Sequence, residues 1–207
     1  MTIGVREMVA EREGRSWTLF LDRDGVINTR IMGGYVRTWD EFHFEPGVLD
    51  ALRMLARWAP RIVVVTNQQG VGKGLMSEAD LNAVHTRMRE EVSAAGGRID
   101  AIQFCPHLDA QGCECRKPSP GMATSYLAAN PDLDGTLSVM IGDTDSDVEM
   151  GRRLARRTGG GATVRVSPTA DPAADLTSPS LAAFAADVRL ALGITPPSSR
   201  SRPRSPA

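Results

Sequence analysis

The stretch WTLFLDRDGVIN, Trp17 to Asn28, joins a short apolar run to a polar, glycine-containing loop and reads as a buried strand that ends in a sharp turn. On an extended chain residues two apart face the same way, so Asp22 and Asp24 project together, Arg23 points elsewhere, and Gly25 lets the backbone turn. Two carboxylates therefore share one small space. They are either solvated aspartates of an Asx turn or a nucleophile beside an acid/base group.

Working outward, the same strand-then-loop pattern returns in RIVVVT (61–66), IDAIQF (99–104), LSVMI (137–141) and ATVRVS (162–167). Helical patterns separate the runs. Pro46 opens one whose apolar face carries Val48, Leu49, Leu52, Leu55, Ala56 and Ala59, and Ser77 caps a second with the stripe Leu81, Val84, Met88 and Val92. Ser119-Pro120 begins another helix, one runs from about Asp147 to Arg157, and a last surface helix covers Ser180 to Leu192. Strands alternating with helices predict an α/β fold, a doubly wound parallel sheet covered on both faces, with ligands at the carboxyl ends of the strands.

At 207 residues and 42% hydrophobic content the chain suits one domain, expected over residues 17–193, with an N-terminal extension at 1–16 and a disordered tail at 194–207. A net charge of -1 offers no general attraction to nucleic acid or anionic membrane. The segment MTIGVREMVAEREGR lacks the apolar centre of a signal peptide, so a cytoplasmic protein is expected. Three cysteines suit metal binding better than a disulfide framework. Among 24 basic residues only Lys73 and Lys117 are lysine, which suggests positions where a compact ammonium is needed.

The other strand-end loops add chemistry. Thr66, opening TNQQG, can present a hydroxyl and backbone N–H groups to a phosphate, although ordinary strand-to-helix loops look similar. GDTDSD supplies Asp143, Asp145 and Asp147, of which helix capping uses one. Carboxylates crowded against a phosphate dianion repel it by about 4 kcal/mol per pair at contact, so a hard divalent cation, magnesium, is expected among them. Cys105, His107, Cys113 and Cys115 form a C-x-H-x5-C-x-C array that fits closed tetrahedral zinc, a structural site. A redox site would want a C-x-x-C pair, and a buried thiol an apolar period. His43 and His85 are expected to be a loop residue and a helix-surface residue.

Taken in order, LDRDGVIN, VVVTN, RKP and IGDTDSD resemble the four motifs of the haloacid dehalogenase (HAD) superfamily of phosphohydrolases, over about Trp17 to Arg157. The resemblance implies that Asp22 forms an aspartyl-phosphate, that Asp24 serves as acid and then base, and that Thr66 and Lys117 hold the phosphoryl oxygens. It places magnesium on the Asp22 carboxylate, the Asp24 carbonyl and the Asp143 carboxylate, with Asp147 just behind them. Only fifty residues separate Thr66 from Lys117, so no cap domain fits between them.

The CPH and CECRKP pieces resemble the branch that holds the D-glycero-D-manno-heptose 1,7-bisphosphate 7-phosphatases and the histidinol-phosphate phosphatases. That resemblance implies substrate contacts from Arg116, from Gly34, Tyr35 and Val36, and from Asn28, Asn67 and Gln68, with Lys73 available to a second phosphate. The implied activity is magnesium-dependent hydrolysis of a small phosphorylated metabolite by a monomer, foremost the 7-phosphate of the heptose bisphosphate in nucleotide-heptose biosynthesis. Histidinol phosphate, a polynucleotide 3'-phosphate and a non-catalytic zinc-stabilised phospholigand module are the alternatives. Two departures from the heptose enzymes bear on substrate alone: the loop TRIMGGYV is longer, and Thr144 stands where lysine is frequent.

Overall fold

The computed structural model describes residues 4–195. Its elements are α1 (Val5–Arg12), β1 (Thr18–Leu21), α2 (Val48–Leu55), β2 (Arg61–Asn67), α3 (Gln69–Gly72), α4 (Glu78–Ala94), β3 (Ala101–Cys105), α5 (Gly121–Ala129), β4 (Val139–Gly142), α6 (Asp145–Thr158), β5 (Ala162–Val166), β6 (Leu176–Ser178) and α7 (Leu181–Ala191). The strands form one six-stranded sheet in the order β3-β2-β1-β4-β5-β6, and every pairing is parallel.

β1 lies at the centre, with Leu21 opposite Val64 of β2 and Ile141 of β4. Its flanks explain its composition: all four residues are buried because both faces are covered, and the strand shows an apolar run rather than alternation. Side chains still divide by face. Leu19, Leu21, Ile62 and Val64 join the larger core with α1, α2, α4 and α7, whereas Phe20, Val63 and Val65 meet α5 and α6 through Met122, Met150 and Leu154.

Within the expected N-terminal extension, α1 packs on this core. α1 buries Met8 and Val9, and Arg12, 2% exposed, donates from Nε to the Leu137 carbonyl at 2.7 Å. The guanidinium also lies over the Trp17 ring. The short β6 was not expected; it pairs with β5 and extends the sheet past the fifth strand. The expected disordered tail falls almost wholly outside the described residues.

β1, β2 and β4 all deliver their carboxyl ends to one edge, where the motif loops gather. The segment from Thr29 to Pro46 folds across this edge. It is closed on itself by a Thr29 N–H donating to the His43 carbonyl at 2.8 Å and by the stacked Trp39 and Phe42 rings, 4.9 Å apart, and tied to the β1 loop by the Glu45 N–H donating to the Ile27 carbonyl at 2.9 Å.

Candidate active site

β1 runs straight into the site, because the Asp22 N–H still donates to Ile141 O at 2.9 Å in the manner of a ladder bond. The turn then closes on itself: the Arg23 carbonyl accepts from the N–H groups of Ile27 and Asn28. Gly25, at φ 90°, is required twice over, since the conformation is left-handed and a Cβ would overlap the Asp143 carboxylate from the β4 loop. This close approach brings the first and last motifs together.

Lys117 is 4% exposed and lies between two carboxylates. Its Nζ is 2.6 Å from Asp22 Oδ1 and 2.7 Å from Asp147 Oδ1, and it donates to the Val65 carbonyl at 3.0 Å. Asp147 spends its other oxygen on the start of α6, accepting from the Thr144 N–H at 3.0 Å and the Thr144 hydroxyl at 2.6 Å. One aspartate thus caps a helix and positions a lysine.

Asp24 is held by three donors. Arg23 Nη2 reaches both its oxygens at 2.9 and 3.0 Å, Asn28 Nδ2 donates at 2.9 Å and Gln68 Nε2 at 2.9 Å. Gln68 also donates to the Thr66 hydroxyl at 2.9 Å, so the second motif is braced on the first. Arg23, expected to point away, instead folds back beneath Asp24, fully buried, and donates from Nη1 to His85 Nε2 at 3.0 Å. His85 is therefore not a surface residue: it is 4% exposed, and burial followed by the Arg23 charge pushes it down to about 3, so it is neutral and accepts the bond.

The electrostatics separate the carboxylates. Burial raises Asp24, but Arg23, Asn28 and Gln68 outweigh it and hold the carboxyl below its usual range. Burial and then the Asp147 charge push Asp22 up to about 7, against the pull of Lys117. Burial likewise raises Asp143 to about 6.

Three oxygens converge on one cationic point. Nη2 of Arg30, in the loop that crosses the sheet edge, lies 2.7 Å from Asp143 Oδ1, 2.9 Å from the Asp24 carbonyl and 3.6 Å from Asp22 Oδ2. Two carboxylates and a carbonyl are a donor set for a hard divalent cation, and the guanidinium marks where its charge would sit. The residues present fit magnesium. Asp147, with its oxygens on Lys117 and Thr144, would stand outside that set.

A metal bound there needs Asp22 and Asp143 ionised. Both groups are raised above their unfolded values, so the metal-free fold holds the extra protons and loses stability as pH climbs through the window from about 4 to about 7. Magnesium binding has the opposite trend, because it releases those protons. Calorimetric titration is expected to show tighter magnesium binding at about pH 8 than at about pH 6, by on the order of tenfold. A pH-independent affinity would contradict these assignments.

A second donor cluster lies beside the first. Cys105 Sγ is 3.4 Å from Cys113 Sγ and 3.2 Å from Cys115 Sγ, the latter two are 3.4 Å apart, and His107 Nδ1 lies 3.1 Å from Cys115 Sγ and 3.6 Å from Cys105 Sγ. Five edges of similar length outline a tetrahedron of soft donors, which fits zinc with no position left for water. The cluster is laced to the β2 loop. The Asn67 side chain donates to the Lys117 carbonyl at 3.2 Å and accepts from its N–H at 3.0 Å, while the Gly72 N–H donates to Pro106 O at 3.0 Å.

A cavity of about 280 Å³ opens above these groups, its walls including Asp22, Arg30, Gly34, Tyr35, Thr66 and Lys117. Asn67 and Val36 also face it. Other residues expected at the substrate lie behind the wall: Asn28 and Gln68 are buried and brace Asp24. Lys73 stacks its ammonium over the Tyr35 ring at 5.4 Å, and Arg116 pairs through Nε with Asp109 at 2.9 Å while its Nη1 is buried without a partner. Arg30 and Ser146, which line the cavity, were not singled out in the sequence. Nothing in the pattern TRIMGGYV distinguishes Arg30 from a solvated loop arginine.

Comparison with known proteins agrees with this geometry. Residues 114–176 match a HAD-hydrolase-like family model. The chain is 46% identical over 187 residues, 90% of its own length and 98% of the other, to the D-glycero-alpha-D-manno-heptose-1,7-bisphosphate 7-phosphatase of Mycobacterium tuberculosis H37Rv. It is 44% identical over 137 residues, 63% of this chain and 74% of the other, to the beta-anomer enzyme of Rhodopseudomonas palustris. The crystal structure of D,D-heptose 1,7-bisphosphate phosphatase from B. bronchiseptica, complexed with magnesium and phosphate, superposes with a TM-score of 0.73 at 32% identity, covering 84% of this chain and 98% of that one. The chain belongs to the heptose-bisphosphate phosphatase family of the HAD superfamily.

Proposed function

We propose that the chain removes the 7-phosphate of D-glycero-α-D-manno-heptose 1,7-bisphosphate. The observation that carries this reading is end-to-end similarity to the M. tuberculosis alpha-anomer enzyme, combined with a capless, cation-lined cavity open enough for an extended bisphosphate. The similarity to beta-anomer enzymes spans less of the chain, which favours the α anomer.

In this reading the ester phosphate enters beside Lys117 and Thr66, which hold its oxygens. Asp22 attacks phosphorus, the phosphorus–oxygen ester bond breaks, and an aspartyl-phosphate forms while Asp24 gives its proton to the leaving sugar oxygen. Asp24 then takes a proton from the water that attacks phosphorus, the phosphorus–oxygen bond to Asp22 breaks to return its carboxylate, and inorganic phosphate leaves. Asp22, the Asp24 carbonyl and Asp143 would hold magnesium, which would supply positive charge to align and neutralise the phosphoryl group. Asp24 rests in its ionised form among three donors, and the arriving phosphate dianion raises its proton affinity when an acid is needed. Arg23 and His85 keep the carboxylate aimed, and Asn67 fixes the backbone of Lys117.

The test is magnesium-dependent phosphate release from both heptose anomers and from histidinol phosphate. The α bisphosphate is expected to exceed histidinol phosphate in kcat/KM by several powers of ten. A preference for histidinol phosphate would overturn the substrate assignment and keep the chemistry.

A further inference from the structure

We propose that Arg30 is an exchangeable counter-ion and specificity residue: its guanidinium holds the cation position of the site, yields it to magnesium, and then binds the second phosphate of the substrate. The substrate half of this inference rests on the bisphosphate reading.

The cation position is shared by geometry. Arg30 Nη2 contacts the same three oxygens that a magnesium ion would take: Asp143 Oδ1 at 2.7 Å, the Asp24 carbonyl at 2.9 Å and Asp22 Oδ2 at 3.6 Å. A guanidinium nitrogen and a divalent ion cannot occupy one point, and the oxygens that attract the first attract the second more strongly. Binding of the metal must therefore displace the side chain.

Where the side chain goes is limited by its anchor. Arg30 is 35% exposed and sits at the base of the loop whose next residues, Ile31, Gly33, Gly34 and Tyr35, form one wall of the cavity. The cavity is also lined by Thr144 and Ser146, which are uncharged, and Lys117 is paired with Asp22 and Asp147. Among the residues lining the cavity, Arg30 is the basic group free to meet a second anion. A fork of N–H donors suits a phosphate, and a bisphosphate brings one that the catalytic groups do not neutralise.

The test has two arms, run on the zinc-replete full chain. Magnesium affinity is measured calorimetrically, without substrate, for the native protein, Arg30→Gln and Arg30→Lys. Arg30→Gln is expected to bind magnesium several-fold more tightly, with Arg30→Lys between the two; equal or weaker binding would overturn the exchange. The second arm compares kcat/KM for the heptose bisphosphate with that for the heptose 7-phosphate. The native preference for the bisphosphate is expected to collapse by on the order of 30-fold in Arg30→Gln and to recover partly in Arg30→Lys. A preserved preference would overturn the specificity role. Should Arg30→Gln fail to fold, Arg30→Lys carries both arms. Should the native protein hydrolyse neither heptose ester, the proposed substrate fails, and the calorimetric arm still decides the exchange.

Discussion

Asp22→Asn is expected to reduce magnesium-dependent phosphate release by on the order of 10⁴-fold or more, in a protein that stays folded. An amide has no anionic oxygen with which to attack phosphorus, and losing a covalent nucleophile removes the step rather than slowing it. The fold tolerates the change because of what surrounds Asp22. Asp22 is 4% exposed and its carboxyl is raised to about 7, so a neutral isostere relieves a buried charge. Lys117 keeps a partner in Asp147 at 2.7 Å. Phosphate release and the thermal midpoint, measured together, separate lost chemistry from lost structure. Turnover above about a tenth of native in the folded variant would remove Asp22 from the nucleophile role. Tight binding of the bisphosphate by the native protein with no release at all would point instead to a phospholigand-binding module.

The central strands were legible because burial on both faces leaves no room for polar residues, and RIVVVT and TLFL show that directly. The parallel order that this burial implies also puts the motif loops at one edge of the sheet. Elements whose burial is partial were harder to read. In α1 only Met8, Val9 and Arg12 are buried, so a segment in which charged and apolar residues are mixed reads as an extension although it docks on the core. β6 is three residues long, too short for any period. His85 is different, because its signal was present: positions 81, 84, 85, 88 and 92 form one helical face, and a polar residue inside that stripe needs a buried partner, which Arg23 supplies. Arg23 departs from the expected direction because strand alternation fixes where Cβ points and not where a long side chain ends. Arg30 could not be read at all. Its position depends on how a seventeen-residue stretch from Thr29 to Glu45 drapes over the sheet, and no local pattern encodes that.

Removing zinc is expected to lower the thermal midpoint by about 10 °C or more and kcat by at least about tenfold, while leaving magnesium affinity nearly intact. The asymmetry follows from which strand carries which group. The oxygens that would hold magnesium come from Asp22, Asp24 and Asp143, at the ends of β1 and β4, and the Lys117 contact from the cysteine loop falls on the other Asp22 oxygen, Oδ1. Lys117 comes from the loop itself, two residues beyond Cys115. Between Cys105 and Lys117 the chain has one short 3-10 turn, Asp109–Gln111, so zinc held by the four side chains would be the main source of its order. Structural zinc is worth roughly 10 to 16 kcal/mol in small sites, far more than such a loop could supply from packing. Once it loosens, the paired hydrogen bonds between Asn67 and the Lys117 backbone must hold the ammonium near Asp22 unaided. Cys115→Ser, or a chelator strong enough to take zinc followed by magnesium re-addition, makes the comparison. A zinc-free protein with native kcat would show that Asn67 and Asp147 suffice to seat Lys117, and the cluster would then be a stability element alone.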